Sequence, residues 1–398
     1  MIKLPFLKKT SKKEPKFLTL DISSSSVKCL VFYKENGALK IIGSGKSYLE
    51  TGAVRNGVVV DFDLVAIAAA EAIDIATQNV EEDVKNTIIG VSSDLCIENV
   101  TTAKITRGTD APINEAETEN FNQKIIDSAT IQVQNYYSEV KGDSDTELQM
   151  ITSSVVYNKI DNESVDNLDG KSGKIVEMAL YNAFCPVYHI EAIQKLGKKL
   201  KLNVMAVSPV NFAVLKALKQ SELESSDLVL AQIGADFTNV GIVFGGAIIK
   251  NKSLHIGHNH FVEELSRIMG LTPVEATKVL KSHSKGTLSP SESVVVQNCL
   301  GEVLDTWREG IELLFTDFTG VKTFASHVYL FGEGVQLPEI EEELTKSPWT
   351  KNIPFKSPPS IDVLLLNNLT KVADATGSVV SHEWVAPASL AYIYEELI

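Results

Sequence analysis

The sequence predicts an α/β fold built from two related halves around a cleft, and three observations carry that expectation. Leu18 to Phe32 reads as an apolar strand, a turn made of Ser23, Ser24, Ser25 and Ser26, and a second apolar strand. Leu228 to Phe244 repeats the design around Gly234, Ala235 and Asp236, with Ile233 standing 211 positions after Ile22. Such repetition marks two copies of one supersecondary unit. Third, Val328 to Phe331 is an apolar run that ends in Gly332-Glu333-Gly334, ahead of a helical start rich in acid (Glu339, Glu341, Glu342, Glu343).

The elements between follow from local chemistry. Each hairpin continues through a glycine turn (Asn36-Gly37; Gly245-Gly246) into a third apolar run. Asp61 or Asp63 can cap a helix whose apolar stripe is Leu64, Ile67, Ala68, Ala72 and Ile75. Residues 140–147 are polar and contain glycine, a loop or hinge. Ser284 to Ser293 forms a second polar connection, before a helix from about Val294 to Phe315, and Pro358-Pro359 breaks the chain again. Strands alternating with helices place the chain in the α/β class.

Composition narrows the function. The 398 residues suffice for several domain-sized units, with 44% hydrophobic and 22% charged residues, ordinary for a soluble globular chain. The net charge is −14, but residues 1–16 hold six lysines against one glutamate, a local +5 that leaves −19 in the remainder. An acidic body disfavours nucleic acid, whose phosphates reward clustered cations. No apolar run approaches the ~20 residues of a spanning helix, and lysines following the first apolar residues reverse the order of a secretory signal. Cys29, Cys96, Cys185 and Cys299 lie far apart without C-x-x-C spacing, so they suggest neither a disulfide framework nor a zinc site. A cytoplasmic protein is expected.

Small-residue hairpin tips expose backbone N–H groups and hydroxyls. Two such tips facing one another would clamp a polyphosphate, and glycines in the third element permit close approach of a ligand. Ordinary tight turns explain either hairpin alone; three elements in this order are more specific. Together they resemble the phosphate-1, phosphate-2 and adenosine motifs of the actin, sugar-kinase and Hsp70 superfamily. Within it, the intervening sequence resembles the bacterial cell-division protein FtsA: Gly57 to Asp61; Gly90 to Ser93, Ile105 and the acidic helix from Asn114; Asn167 to Gly173 with Val176-Glu177; and Gly257 to Phe261 with Leu265 and Glu275-Ala276. The similarity is collinear from about residue 17 onward.

The resemblance implies an actin-like ATPase fold with an FtsA-type inserted subdomain. It divides the chain into a basic, apolar leader (1–15), a first half in three pieces (16–86, 179–212 and 375–398) and an inserted subdomain (87–178). The second half (213–250 and 320–374) carries a smaller subdomain (251–319). It also implies ATP and magnesium as cofactors. Asp21 would hold magnesium through water, and Ser23, Ser24, Ser25, Lys28, Gly234, Ala235, Asp236, Thr238, Lys278, Gly332, Glu333 and Gly334 would line the nucleotide.

Several positions depart from that pattern. The second carboxylate is replaced by Gln232, and magnesium favours carboxylate oxygen. Asp236 sets a carboxylate where phosphates would lie, which is repulsive without a cation. Glu333 stands where the motif has a glycine, and Glu275 to Lys281 disturbs the spacing of the helix that usually contacts the nucleoside. Ser23 to Ser26 have no histidine partner and suit turn formation. At most a weak ATPase is expected. His255, His258 and His260 lie within six residues, yet they align with a family turn, and surface or turn positions explain them better than a metal site.

The leader offers Ile2, Leu4, Phe6 and Leu7 beside Lys8 and Lys9, an apolar finger with a polybasic run that suits an anionic membrane surface. The same composition also suits a solubilising tail or a protein-docking peptide. FtsA proteins carry a membrane helix after the fold, and here the fold-like pattern runs to the last residues, so the expectation is that residues 1–13 substitute for it. The resemblance further implies the FtsZ C-terminal tail, other division proteins and copies of the chain itself as partners, in an oligomer or filament at the division site. Cys299 replaces an arginine suited to the acidic tail, which weakens that partner assignment. The alternatives are a PilM-like platform for type IV pilus assembly and, least favoured for want of a base, a small-molecule kinase.

Overall fold

The computed structural model describes residues 16–141, 145–219, 227–346 and 348–397. Ile2, Leu4, Phe6, Leu7, Lys8 and Lys9, expected to contact membrane, lie outside them, as does part of the expected hinge at 140–147. The chain opens with β1 (Phe17–Ile22), β2 (Ser26–Glu35) and β3 (Ala38–Tyr48), an antiparallel meander that sets Asp21 opposite Lys28. A short pair, β4 (Val54–Arg55) and β5 (Val58–Val59), leads to α1 (Phe62–Thr77) and then β6 (Asn86–Val91), which joins β1 in parallel. Flanked on both sides, β1 is buried along most of its length, and four of its six residues are apolar. The Asp61 carboxylate caps α1, accepting from the N–H groups of Asp63 and Leu64 at 3.0 and 3.1 Å.

Two glycines seat α1 on the sheet. A Cβ at Gly43 would stand 1.9 Å from the Ala76 carbonyl oxygen, and one at Gly45 would stand 2.0 Å from that of Ala72. Only hydrogen fits between helix and strand at these points, and Ala72 and Ala76 on the facing helix are themselves small and buried.

The chain then leaves for a separate layer: β7 (Ile97–Thr106), α2 (Glu115–Lys141), β8 (Leu148–Ile160), β9 (Glu163–Val165) and β10 (Ile175–Pro186). Its four strands run in the order β7-β10-β8-β9 and, with α2, enclose a core around Phe121, Ile125, Val176 and Met178. The return is through α3 (Val187–Lys199), β11 (Asn203–Pro209), which pairs with β6, and α4 (Val210–Leu218), an almost wholly buried helix.

The second half repeats the opening. The meander β12 (Leu228–Ile233), β13 (Thr238–Phe244) and β14 (Ala247–Leu254) pairs Gln232 with Asn239, and three helices follow: α5 (His258–Met269), α6 (Pro273–Ser284) and α7 (Pro290–Thr316). The helix expected from about Val294 begins earlier. Ser289 and Glu292 form a reciprocal cap around Pro290, whose fixed φ suits the first turn. β15 (His327–Phe331), α8 (Pro338–Lys346) and β16 (Ser360–Val363) complete the sheet in the order β14-β13-β12-β15-β16. Last, β17 (Val372–Asp374) rejoins β3, and α9 (Val385–Ser389) with the turn Leu390–Glu396 packs on α4 and β1, stacking Tyr394 on Phe17 at 4.3 Å.

A buried polar chain joins the three parts. Asn211 on α4 donates to Asn239 on β13 at 2.5 Å and to Asn251 on β14 at 3.1 Å, and Asn251 donates to Glu98 on β7 at 2.7 Å. Burial pushes the Glu98 carboxyl up to about 8, so it is largely protonated at neutral pH.

Gly45→Ala should destabilise the protein by at least about 1–3 kcal/mol in urea unfolding, because the new methyl must part α1 from β3. Unchanged stability would show that the helix does not lie against this strand.

Candidate functional site

The tips of the two hairpins and the turn after β15 meet at the cleft between the halves. In the first tip, Ser23, Ser25 and Ser26 bond chiefly to one another: Ser23 Oγ donates to the Ser26 carbonyl at 3.0 Å and lies 3.1 Å from Ser25 Oγ. Ser25 also donates its hydroxyl to Glu333, and the Lys46 ammonium on β3 stands 3.6 Å from the same carboxylate. Lys46 is shared with Glu383, which lies on the turn His382–Trp384. Beside them Lys28 sits 3.8 Å from Asp21, both largely buried.

What delivers Glu333 into the cleft is the pair of glycines around it. A Cβ at Gly332 would stand 2.5 Å from the Ile233 carbonyl oxygen, and one at Gly334 would stand 2.3 Å from the Ile233 side chain. Gly332 also has φ near +105°, a conformation side-chain-bearing residues rarely adopt. The turn therefore packs tightly on the end of β12, and the intervening carboxylate is carried across to the first half.

Burial alone would raise the Glu333 carboxyl. The charges of Lys28 and Lys46, His258 when protonated, and the Ser25 hydroxyl outweigh it and hold the group at about 2. For His258 itself burial is the largest influence and lowers its basicity against the pull of Glu333, so the ring is neutral at physiological pH and joins the cations only in acid. Burial would likewise weaken Lys46 as a base, but Glu333 and Glu383 overcome it and keep the ammonium charged. Asp21 moves the other way: burial raises it, Lys28 opposes, and Glu333 and Glu383 add to the rise.

The second tip is sealed from a different side. The N–H groups of His258 and Asn259, which open α5, donate to the carbonyls of Gly234 and Ala235 at 2.9 and 2.8 Å. Those helix-start donors thus have partners without any ligand. Asp236 accepts from the Asn259 amide at 2.7 Å and from the Asn56 backbone N–H of the first half at 3.3 Å. Thr238 is fully buried and away from the cleft network, donating to the Ile256 carbonyl at 2.9 Å and accepting from the Trp307 indole at 2.8 Å. Lys278 is exposed on α6, and Glu275 caps that helix through Thr272. Ser24 Oγ, Gln232 Oε1 and His258 Nδ1 are buried without a hydrogen-bond partner among the described residues. His255 is exposed, while His260 Nδ1 accepts from the Gly257 N–H at 3.2 Å, so the three histidines point to separate tasks.

Of the residues expected to line a nucleotide, the structure thus gathers Asp21, Ser23, Ser25, Lys28 and Glu333 at one point. Lys46, Glu383 and His258 complete that network, and sequence reasoning missed all three as members of it. An isolated lysine in a strand of mixed pattern and a glutamate near the chain's end carry no local signal, whereas His258 is visible as part of the histidine cluster.

An actin-type cleft implies a nucleoside triphosphate with magnesium. The side chains do not fit that group as they stand: a carboxylate already uses the ammonium and hydroxyl donors that phosphate oxygens would need, and Asp21 faces Lys28.

The fold is the actin-like ATPase fold. No family model matches it. A 79-residue stretch is 35% identical to the cell division protein FtsA of Streptococcus pneumoniae serotype 2, covering 20% of this chain and 17% of that protein. A 73-residue stretch is 33% identical to FtsA of Staphylococcus epidermidis, covering 18% and 15%. The matched segments thus span less than a fifth of these relatives' length. Among solved structures, the PilM-PilN type IV pilus biogenesis complex matches with a TM-score of 0.63 at 15% identity, over 94% of this chain and 97% of that one. The ethanolamine utilization protein EutJ from Carboxydothermus hydrogenoformans matches at 0.53 and 11% identity, over 95% and 89%. No helix among the described residues is long and apolar enough to cross a membrane.

The depressed carboxyl predicts a pH dependence. A group held at about 2 in the folded chain and 4.5 when unfolded contributes stability that is complete above 4.5 and is lost as pH falls from there to 2. That contribution is on the order of 3 kcal/mol, with the raised Asp21 offsetting part of it. Glu333→Gln should lower stability at neutral pH and flatten the decline across that window, read from urea midpoints. An unchanged profile would show that the carboxylate is not held this way.

Proposed function

We propose that this chain is an actin-fold scaffold for a membrane-associated assembly, in which the phosphate cleft serves as an internal clasp and ATP is not turned over. The observation that carries this reading is the Glu333 carboxylate bound by Ser25 and Lys46 across the cleft. Phosphoryl transfer needs a site that admits the phosphates with their metal and positions a nucleophile. A scaffold needs its halves held in one arrangement, which the clasp supplies. Gln232 in place of a carboxylate supports the same reading, since it removes a ligand that magnesium prefers. ATP enters this cleft only when Glu333 is displaced.

The assembly is read first as the cell-division machinery, supported by the segments 33–35% identical to FtsA. Its partners are then the FtsZ tail, other division proteins, further copies of the chain and the inner face of the cell membrane. A second reading, a platform for type IV pilus assembly, is supported by a fold correspondence with PilM along nearly the whole chain.

Isothermal titration with ATP and magnesium tests the clasp. The unaltered protein should show no binding tighter than about 1 mM, and Glu333→Ala should bind at least about tenfold tighter, without phosphate release. Micromolar binding with turnover in the unaltered chain would overturn the proposal. Pull-downs with an FtsZ tail peptide and with the cytoplasmic N-terminal peptide of a pilus membrane protein separate the two assemblies.

A further inference from the structure

A groove of about 360 Å³ lies at the C-terminal end of α1, where the loop before β6 passes the α3–β11 connection. Its floor is apolar, made by half-buried Ile73, Val80 and Leu200 that pack on the core of the first half. Its rim is acidic: Asp74, Glu81, Glu82 and Asp83 all line it and all are exposed. Lys85, the one basic residue of the lining among the described residues, pairs with Asp83 at 2.7 Å. Asp74 and Glu81 make no ion pair among the described residues. The volume falls within the range of sites that take small ligands or side chains of a docked segment.

The chain itself arrives at this rim. Lys16, the first described residue, places its ammonium 3.4 Å from Glu82. The residues before it carry what the groove lacks. Ile2, Leu4, Phe6 and Leu7 match the apolar floor, and Lys3, Lys8, Lys9, Lys12 and Lys13 against the single Glu14 match the acidic rim. Fifteen residues reach up to about 50 Å when extended, so distance does not limit docking next to Lys16. Tethering raises the local concentration of the segment to roughly millimolar, so a weak site would still be filled.

We propose that residues 1–13 dock in this groove of their own chain, with Leu4 or Phe6 on the floor and the lysines along the rim. The occupant is this segment because Lys16, which follows it in the chain, already pairs with Glu82 on the rim, and because floor and rim complement it in both polarity and charge. The basic segment is then held against the acidic body.

Photo-crosslinking of the full-length chain tests this. Phe6 is replaced by benzoylphenylalanine, isotope-labelled and unlabelled protein are mixed in equal amounts and irradiated, and the products are mapped by mass spectrometry. Links should form within one chain to peptides spanning 70–85 and 200–202. Their yield should fall several-fold in D74K/E81K and in about 1 M salt, where screening shortens to roughly 3 Å. Links to another surface, links between labelled and unlabelled chains, no links, or an undiminished yield in D74K/E81K would each overturn the proposal. Should D74K/E81K fail to fold, the leader variant K8S/K9S/K12S/K13S carries the same test, because it changes no residue of the folded body.

Discussion

A carboxylate removed from water stays ionised only where cations and hydrogen-bond donors replace its hydration. At Glu333 that requirement is met from the other half of the molecule. Lys46 and Ser25 belong to the first hairpin system, whereas Glu333 rides on the second, locked there by the fit of Gly332 and Gly334 against Ile233. Breaking a buried pair by removing one partner costs about 3–5 kcal/mol, mostly from the charge left behind. The halves of this fold are therefore fastened to one another across the cleft.

Other contacts act in the same direction. Asp236 bonds to the Asn56 N–H across the cleft. The buried asparagine chain ties α4 to the second meander and, through Glu98, to the inserted layer. α4 and the turn Leu390–Glu396 bury apolar side chains from both halves in one core, with Leu215, Leu230 and Tyr392 among them. Contacts that fix the halves in one arrangement are the physical basis for the proposed scaffold.

Much of the fold was legible because it is local and repeated. The hairpin tips at Ser23–Ser26 and Gly234–Asp236 announce themselves by small residues between apolar runs, and their registers correspond, Asp21 opposite Lys28 and Gln232 opposite Asn239. The Asp61 cap was visible because a cap is a matter of neighbours, whereas Ser289, which caps α7 ahead of Pro290, was passed over inside a polar stretch. The cleft was only half legible. Glu333 stood out as a departure, but Lys46 and Glu383 lie 337 residues apart and neither has a pattern around it. Thr238 sits at the expected tip, yet the meander turns its hydroxyl toward Trp307 on α7, which no spacing rule shows. Cys96 and Cys185, far apart in sequence, face one another at 3.2 Å where the inserted layer joins the first half. Long-range pairing of single residues is set by the tertiary fold, and sequence spacing carries no trace of it.

The ionisation of Glu333 tests the clasp most directly. In a chain carrying carboxyl-13C glutamate, with its signal assigned by the Glu333→Gln variant, acid titration by NMR should find this carboxylate still ionised where exposed glutamates are already half protonated, in keeping with a pKa of about 2. A midpoint near the ordinary 4.5 would mean that Lys46 and Ser25 do not hold it, and the cleft would then be free for another occupant.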